Sequence, residues 1–185
     1  MAATTVKSTS ITNIEANPPT IQDRKTEGAR CPYVVMGEIE AATTSLDEAN
    51  DTILMVPIPS HAVVTSIQIL NDDLDSNGTP TLAVDCGLYY SGKDGDQRKD
   101  GNTSGTVIDA DCYTPTASTE LQSANTTWAN LLQSPSDVKD LNKEAWSAGG
   151  LSADPGGTLY IGLAMETAAA TAAAGGIVMK VEYLA

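Results

Sequence analysis

The sequence predicts a mainly β protein: an antiparallel β-sandwich, jelly-roll-like, with a short helical insertion and an extended N-terminal arm. Three observations carry this. Residues 62–90, AVVTSIQILNDDLDSNGTPTLAVDCGLYY, hold two runs of strand periodicity around a turn-rich centre. The body of the chain falls into seven or eight short apolar segments divided by Gly, Pro, Asn and Asp, the rhythm of sandwiches and barrels. Its apolar residues are chiefly Val, Ile, Leu, Ala and Met, with no Phe at all, and β-branched side chains suit a pleated surface. A partly open barrel is the alternative reading of the same pattern.

Residues 1–30 are polar, carry an Asn-Pro-Pro turn at 17–19 and sustain no period. They read as an arm that orders against a partner, or as a disordered tail. From residue 31 the texture changes to a domain, 31–185. Tyr33, Val35, Gly37, Ile39 and Ala41 alternate with polar and apolar neighbours as a first strand. Residues 52–60, TILMVPIPS, are apolar on both faces, and Pro57 and Pro59 cannot donate to a ladder, which predicts a sheet edge or a departure from the sheet at Pro57. Val63, Thr65, Ile67 and Ile69 form one face of the next strand. Leu82, Val84, Cys86, Leu88 and Tyr90 form one face of the strand after it, and the Asp/Asn/Gly/Pro stretch between predicts a long hairpin. Residues 91–105 form a solvated loop, and 106–114 a short strand. The helical insertion is placed at about 117–147. Leu121, Trp128, Leu131 and Leu132 have near-helical spacing over 117–132, and Ser136 is positioned to cap a second helix over 137–146. Leu159, Ile161, Leu163 and Met165, then Ile177, Met179, Val181 and Tyr183 after an Ala/Thr loop, complete the strands.

At 185 residues and 41% hydrophobic content the chain suits one domain plus an arm. Net charge is −14. Nucleic-acid binding depends on Lys and Arg releasing counterions, so a direct DNA or RNA binder is not expected. The charge is uneven: residues 1–30 hold four basic and three acidic residues, the remainder six basic and 21 acidic. A weakly basic leader on an acidic body suits docking on an acidic surface such as a neighbouring copy. No apolar run approaches the roughly 20 residues of a membrane span, and the start lacks the apolar centre of a secretory signal. Cys31, Cys86 and Cys112 show no paired spacing, which fits reduced thiols and synthesis in a cytoplasm.

Candidate chemistry is sparse. Asp73-x-Asp75-x-Asn77-Gly78 matches the first half of a calcium loop. The twelfth position is Val84 rather than Glu, which excludes an EF-hand and leaves a looser calcium site or an acidic turn. His61 is the only histidine and reads as a turn residue. Glu38 and Glu40 share a strand face about 7 Å apart at the α-carbons, from a rise of roughly 3.3 Å per residue. That spacing is compatible with glycoside hydrolysis or with a solvated face. No cofactor motif accompanies them, and no catalytic residue is assigned.

The order of segments completes the reading. "DTILMVPIPSHAVVTSIQIL", an acidic turn, "TLAVDCGLYYSGKDGD", "DADCYTPTASTELQ", "EAWSAGGLSADPGGTLYIGLAMET" and a closing "GGIVMKVEY" together resemble small virion structural proteins of tailed bacteriophages, of the capsid decoration (cement) type. The resemblance covers about residues 31–185. It implies a non-enzymatic protein, made in the host cytoplasm, that binds the outer surface of the capsid and stabilises the shell. The implied partners are the major capsid protein and the chain's own copies, as a homotrimer, without nucleic acid or membrane. Arg24, Lys25 and Arg30 of the arm are the expected interaction residues. Two other classes stay open: a carbohydrate- or host-surface-binding module, which needs Tyr89, Tyr113, Trp128 or Trp146 clustered on the surface, and a vertex or tail component.

Overall fold

The computed structural model describes residues 32–46, 48–49, 51–92, 101–132 and 142–185. The leader, Cys31 and half of the stretch expected as the second helix lie outside them. The described strands belong to one compact unit, Pro32–Ala185. They are β1 (Pro32–Ala41), β2 (Thr52–Pro59), β3 (Val63–Asn71), β4 (Ala83–Tyr90), β5 (Val107–Asp109), β6 (Asn125–Asn130), β7 (Thr158–Thr167) and β8 (Gly175–Leu184).

Two four-stranded sheets form, in the orders β1-β8-β3-β6 and β2-β7-β4-β5, and every pairing between these strands is antiparallel. Consecutive strands fall in opposite sheets except β4 and β5, which share one, and the two sheets form a β-sandwich. Alternation in the sequence becomes burial. Ile67 and Ile69 of β3 and Ile177, Met179 and Val181 of β8 face Val84, Cys86 and Leu88 of β4 and Leu159, Ile161, Leu163 and Met165 of β7, all essentially excluded from solvent. Each fully buried Leu, Ile or Val contributes roughly 1.5–3 kcal/mol relative to exposure.

A bulge corrects the face expected for β3, and another sets the face of β2. A register shift between Val64 and Ser66 turns Thr65 out to solvent, so Val64, Ile67 and Ile69 reach the core. A shift between Leu54 and Val56 does the same in β2, where Ile53, Val56 and Ile58 point inward. The extra residue in a bulge reverses the side-chain phase beyond it.

The expected hairpin at 62–90 does not form. Its two strands exist, but β3 and β4 lie in different sheets, and residues 72–82 carry the chain across the sandwich. Each strand needs one buried face, and the shared core satisfies both without pairing them. The helix expected over 117–132 is also replaced: Glu120–Gln122 is one 3-10 turn and Asn125–Asn130 is β6. Side-chain amides compete with helical bonding here. Asn125 Nδ2 donates to the Glu120 carbonyl (2.8 Å) and Asn71 Nδ2 to the Ser123 carbonyl (2.9 Å). Leu121 and Leu131 still reach the core, from a turn and from a strand end. Of the second expected helix, residues 142–146 are described and only Ala145 and Trp146 are α-helical, at the start of the single turn α1, Ala145–Ala148; Trp146 Nε1 donates to the Glu144 carboxylate (2.8 Å).

Candidate functional site

The loop after β3 is organised by Asp75, which is 1% exposed. Its Oδ2 accepts the N–H groups of Thr81 (2.7 Å), Leu82 (3.0 Å) and Ala170 (3.0 Å), and its Oδ1 accepts that of Thr171 (2.9 Å). Burial works to raise its pKa, but the four N–H bonds favour the charged form more strongly and hold it at about 2. Asp75 thus joins the β3–β4 crossover to the Ala/Thr loop before β8. Asp73 and Asn77 serve the same loop. Asp73 Oδ1 accepts the N–H of Asp75 (3.2 Å), Asn77 Oδ1 accepts that of Thr79 (2.9 Å), and Asn77 Nδ2 donates to Thr171 Oγ1 (3.0 Å). Among the described residues no group of three or more His, Cys, Asp or Glu is arranged to hold a metal ion.

A second acidic group was not singled out from the sequence. Asp85 stands on the outer face of β4, with its pKa raised to about 6 by burial and by the charges of Glu166 and Asp111. Burial and a hydrogen bond with Asp111 also raise Asp109. The signal was available in the strict alternation of 81–90, which sets Asp85 opposite the core face, and in the Asp-x-Asp pair at 109–111. What the alternation could not show is that β5 pairs beside β4 and that the backbone at Asp109 and Ala110 then closes over Gly87. Tyr89, on the same outer face, is fully buried. A Cβ at Gly87 would meet the backbone of Asp109 and Ala110, and one at Gly162 would stand 3.0 Å from the Tyr89 ring.

The remaining candidates are dispersed. His61 is exposed in the β2–β3 turn. Glu38 and Glu40 are exposed on β1, side by side as expected. Cys86 and Cys112 are free thiols, both pushed up by burial. Tyr89 and Tyr113 are buried, Trp146 is half-buried against the core, and Trp128 lies on β6 with Lys180 Nζ 5.0 Å above its ring. Arg24, Lys25 and Arg30 lie outside the described residues.

The structure is similar to a chain in the capsid of Ralstonia phage GP4 (TM-score 0.51, 21% identity, covering 83% of this chain and 84% of that one). It is equally similar to a chain in the capsid asymmetric unit of cyanophage Pam1 (TM-score 0.52, 21% identity, the same coverage). This fold occurs in phage capsids. No family model and no curated protein matches the sequence.

In a sandwich of this kind the surfaces free to meet another chain include the strand edges, and the four edges differ. On β2 the edge is interrupted by Pro57, Pro59 and a bulge. At three residues, β5 is short, and β6 pairs with β3 through a register shift. By contrast β1 runs ten residues in unbroken register with β8 and has no other described strand beside it. It also carries Tyr33, Val34, Met36 and Ile39, which are 49%, 63%, 56% and 40% exposed.

Proposed function

We propose that this chain is a non-enzymatic structural protein of a bacteriophage virion that binds the outer surface of the capsid as a homotrimer and stabilises the shell. The observation that carries the reading is the β-sandwich similar, over 83% of the chain, to chains of two phage capsids. The segment order that resembles decoration proteins supports it independently. Binding to the assembled shell and not to free shell subunits stabilises the shell by mass action, by about 2.7 kcal/mol per site at a hundred times the dissociation constant. Arg24, Lys25 and Arg30 are the proposed arm contacts to neighbouring copies or to the shell.

The test is quantitative co-sedimentation of the full-length chain with expanded shells stripped of it. Saturable binding at a fixed ratio to the major capsid protein is expected. Shells that cannot assemble without the chain would make it part of the shell itself, and absence from purified particles would overturn the virion role. Calcium at Asp73, Asp75 and Asn77 is a separate proposal. An ion there competes with the four N–H groups on Asp75, so calorimetric titration with calcium, compared between the chain and its Asp73→Ala variant, decides it. A carbohydrate-binding role is disfavoured by the burial of Tyr89 and Tyr113.

A further inference from the structure

We infer that the edge of β1 that no other described strand covers receives residues 4–14 of a second copy as an added strand. This rests on reading the leader as an interaction arm, and it names the surface that the arm meets. A row of unpaired backbone groups is a template for pairing, and folded proteins blunt such edges with prolines, bulges, brevity or charged side chains, lysines above all. Three edges of this sandwich show one of those devices. Strand β1 lacks most of these: its proline is the first residue, its register is unbroken, it contains no Lys or Arg, and its only charges are Glu38 and Glu40. Four of its side chains are large, apolar and exposed.

The occupant follows from charge and composition. A second copy of the body would bring 21 acidic residues against six basic ones towards Glu38 and Glu40, which stand exposed on β1. The leader brings the opposite sign. Its stretch 4–14, TTVKSTSITNI, has seven β-branched residues of eleven and one charge, Lys7, a composition suited to a strand. Added beside β1, it gains main-chain hydrogen bonds, covers Val34 and Met36, and places Lys7 near Glu38 and Glu40. The chain between Ile14 and Pro32 spans up to about 60 Å when extended, enough to reach a neighbouring copy.

The experiment measures self-association of the full chain by light scattering over a concentration series. Four variants are compared: Lys7→Glu, Glu38→Lys with Glu40→Lys, all three changes together, and Ile11→Pro. All altered positions are in the leader or on exposed strand surface, and circular dichroism checks each fold. Each charge reversal is expected to weaken association about tenfold, the triple change to restore most of it, and Ile11→Pro to weaken it at least as much as either reversal. In the wild type, hydrogen exchange of β1 amides should speed up on dilution. A monomeric wild type, or reversals that weaken association without recovery in the triple variant, overturns the inference. Shell binding is measured separately on the same proteins: variants that no longer self-associate but still bind shells leave the shell-binding role standing and remove only its trimeric form, whereas self-association through β1 by a chain that binds no shell removes the virion role alone.

Discussion

Two aspartates set opposite pH dependences in this molecule. Asp75 has its pKa lowered to about 2, so its stabilising effect is complete above the unfolded value near 3.8 and is lost as pH falls through 2. A displacement of about two pH units at a buried group corresponds to about 2 kcal/mol. Asp75→Ala leaves four backbone donors without their acceptor and is expected to lose about 2–4 kcal/mol at pH 7. In urea denaturation the gap from wild type should narrow between pH 4 and 2, and a constant gap would contradict this assignment. Asp85 has the reverse sign. Its pKa is raised to about 6, so the fold binds that proton more tightly than the unfolded chain does. Stability contributed by the protonated group is present below the unfolded value and is lost as pH rises through 6. Because Asp85 is partly exposed, the effect is set at about 1 kcal/mol. Asp85→Asn should therefore raise stability at pH 7.5 and leave it little changed at pH 4. An unchanged denaturation midpoint at pH 7.5 would show that the neighbouring charges do not act on it.

At the scale of elements, close approach rather than propensity decides several positions. Gly162 of β7 lies under the Tyr89 ring, and an added Cβ would stand 2.9 Å from the Ile53 carbonyl oxygen as well. Gly162→Val is expected to cost about 1–3 kcal/mol by overpacking, read as a lowered melting temperature. An unchanged value would mean that Tyr89 is not held there. Seven of the eight strands were legible, because a half-buried strand writes its two faces into alternate residues: Leu159 to Met165 and Ile177 to Val181 are buried as their spacing requires. Strand β6 was not. Its buried anchors, Leu121 and Leu131, have a spacing that a helix could also supply, and the Asn side chains that hold the local carbonyls act over distances no pattern records. The β3–β4 connection misled for a related reason. Turn residues mark where a chain reverses, and a crossover between sheets uses the same residues as a hairpin. The bonds that Asp75 makes to Ala170 and Thr171, some 95 residues away, are likewise recorded in no local pattern.

The whole molecule presents a further limit on what a sequence conveys. An open edge is a property of topology: β1 is exposed because it ends the order β1-β8-β3-β6, and nothing within Pro32–Ala41 says so. Its exposed Tyr33, Val34 and Met36 look, in sequence, like any strand's buried face. The segment order carried the virion resemblance, and the sandwich shared with phage capsid chains agrees with it. The most direct measurement of the proposed role is the melting temperature of capsid shells with the chain bound, stripped away, and added back in increasing amounts. Stripping should lower the shell's melting temperature by several degrees, and adding the chain back should restore it saturably at a fixed ratio to the major capsid protein. A melting temperature that does not change across the three states would contradict a shell-stabilising role.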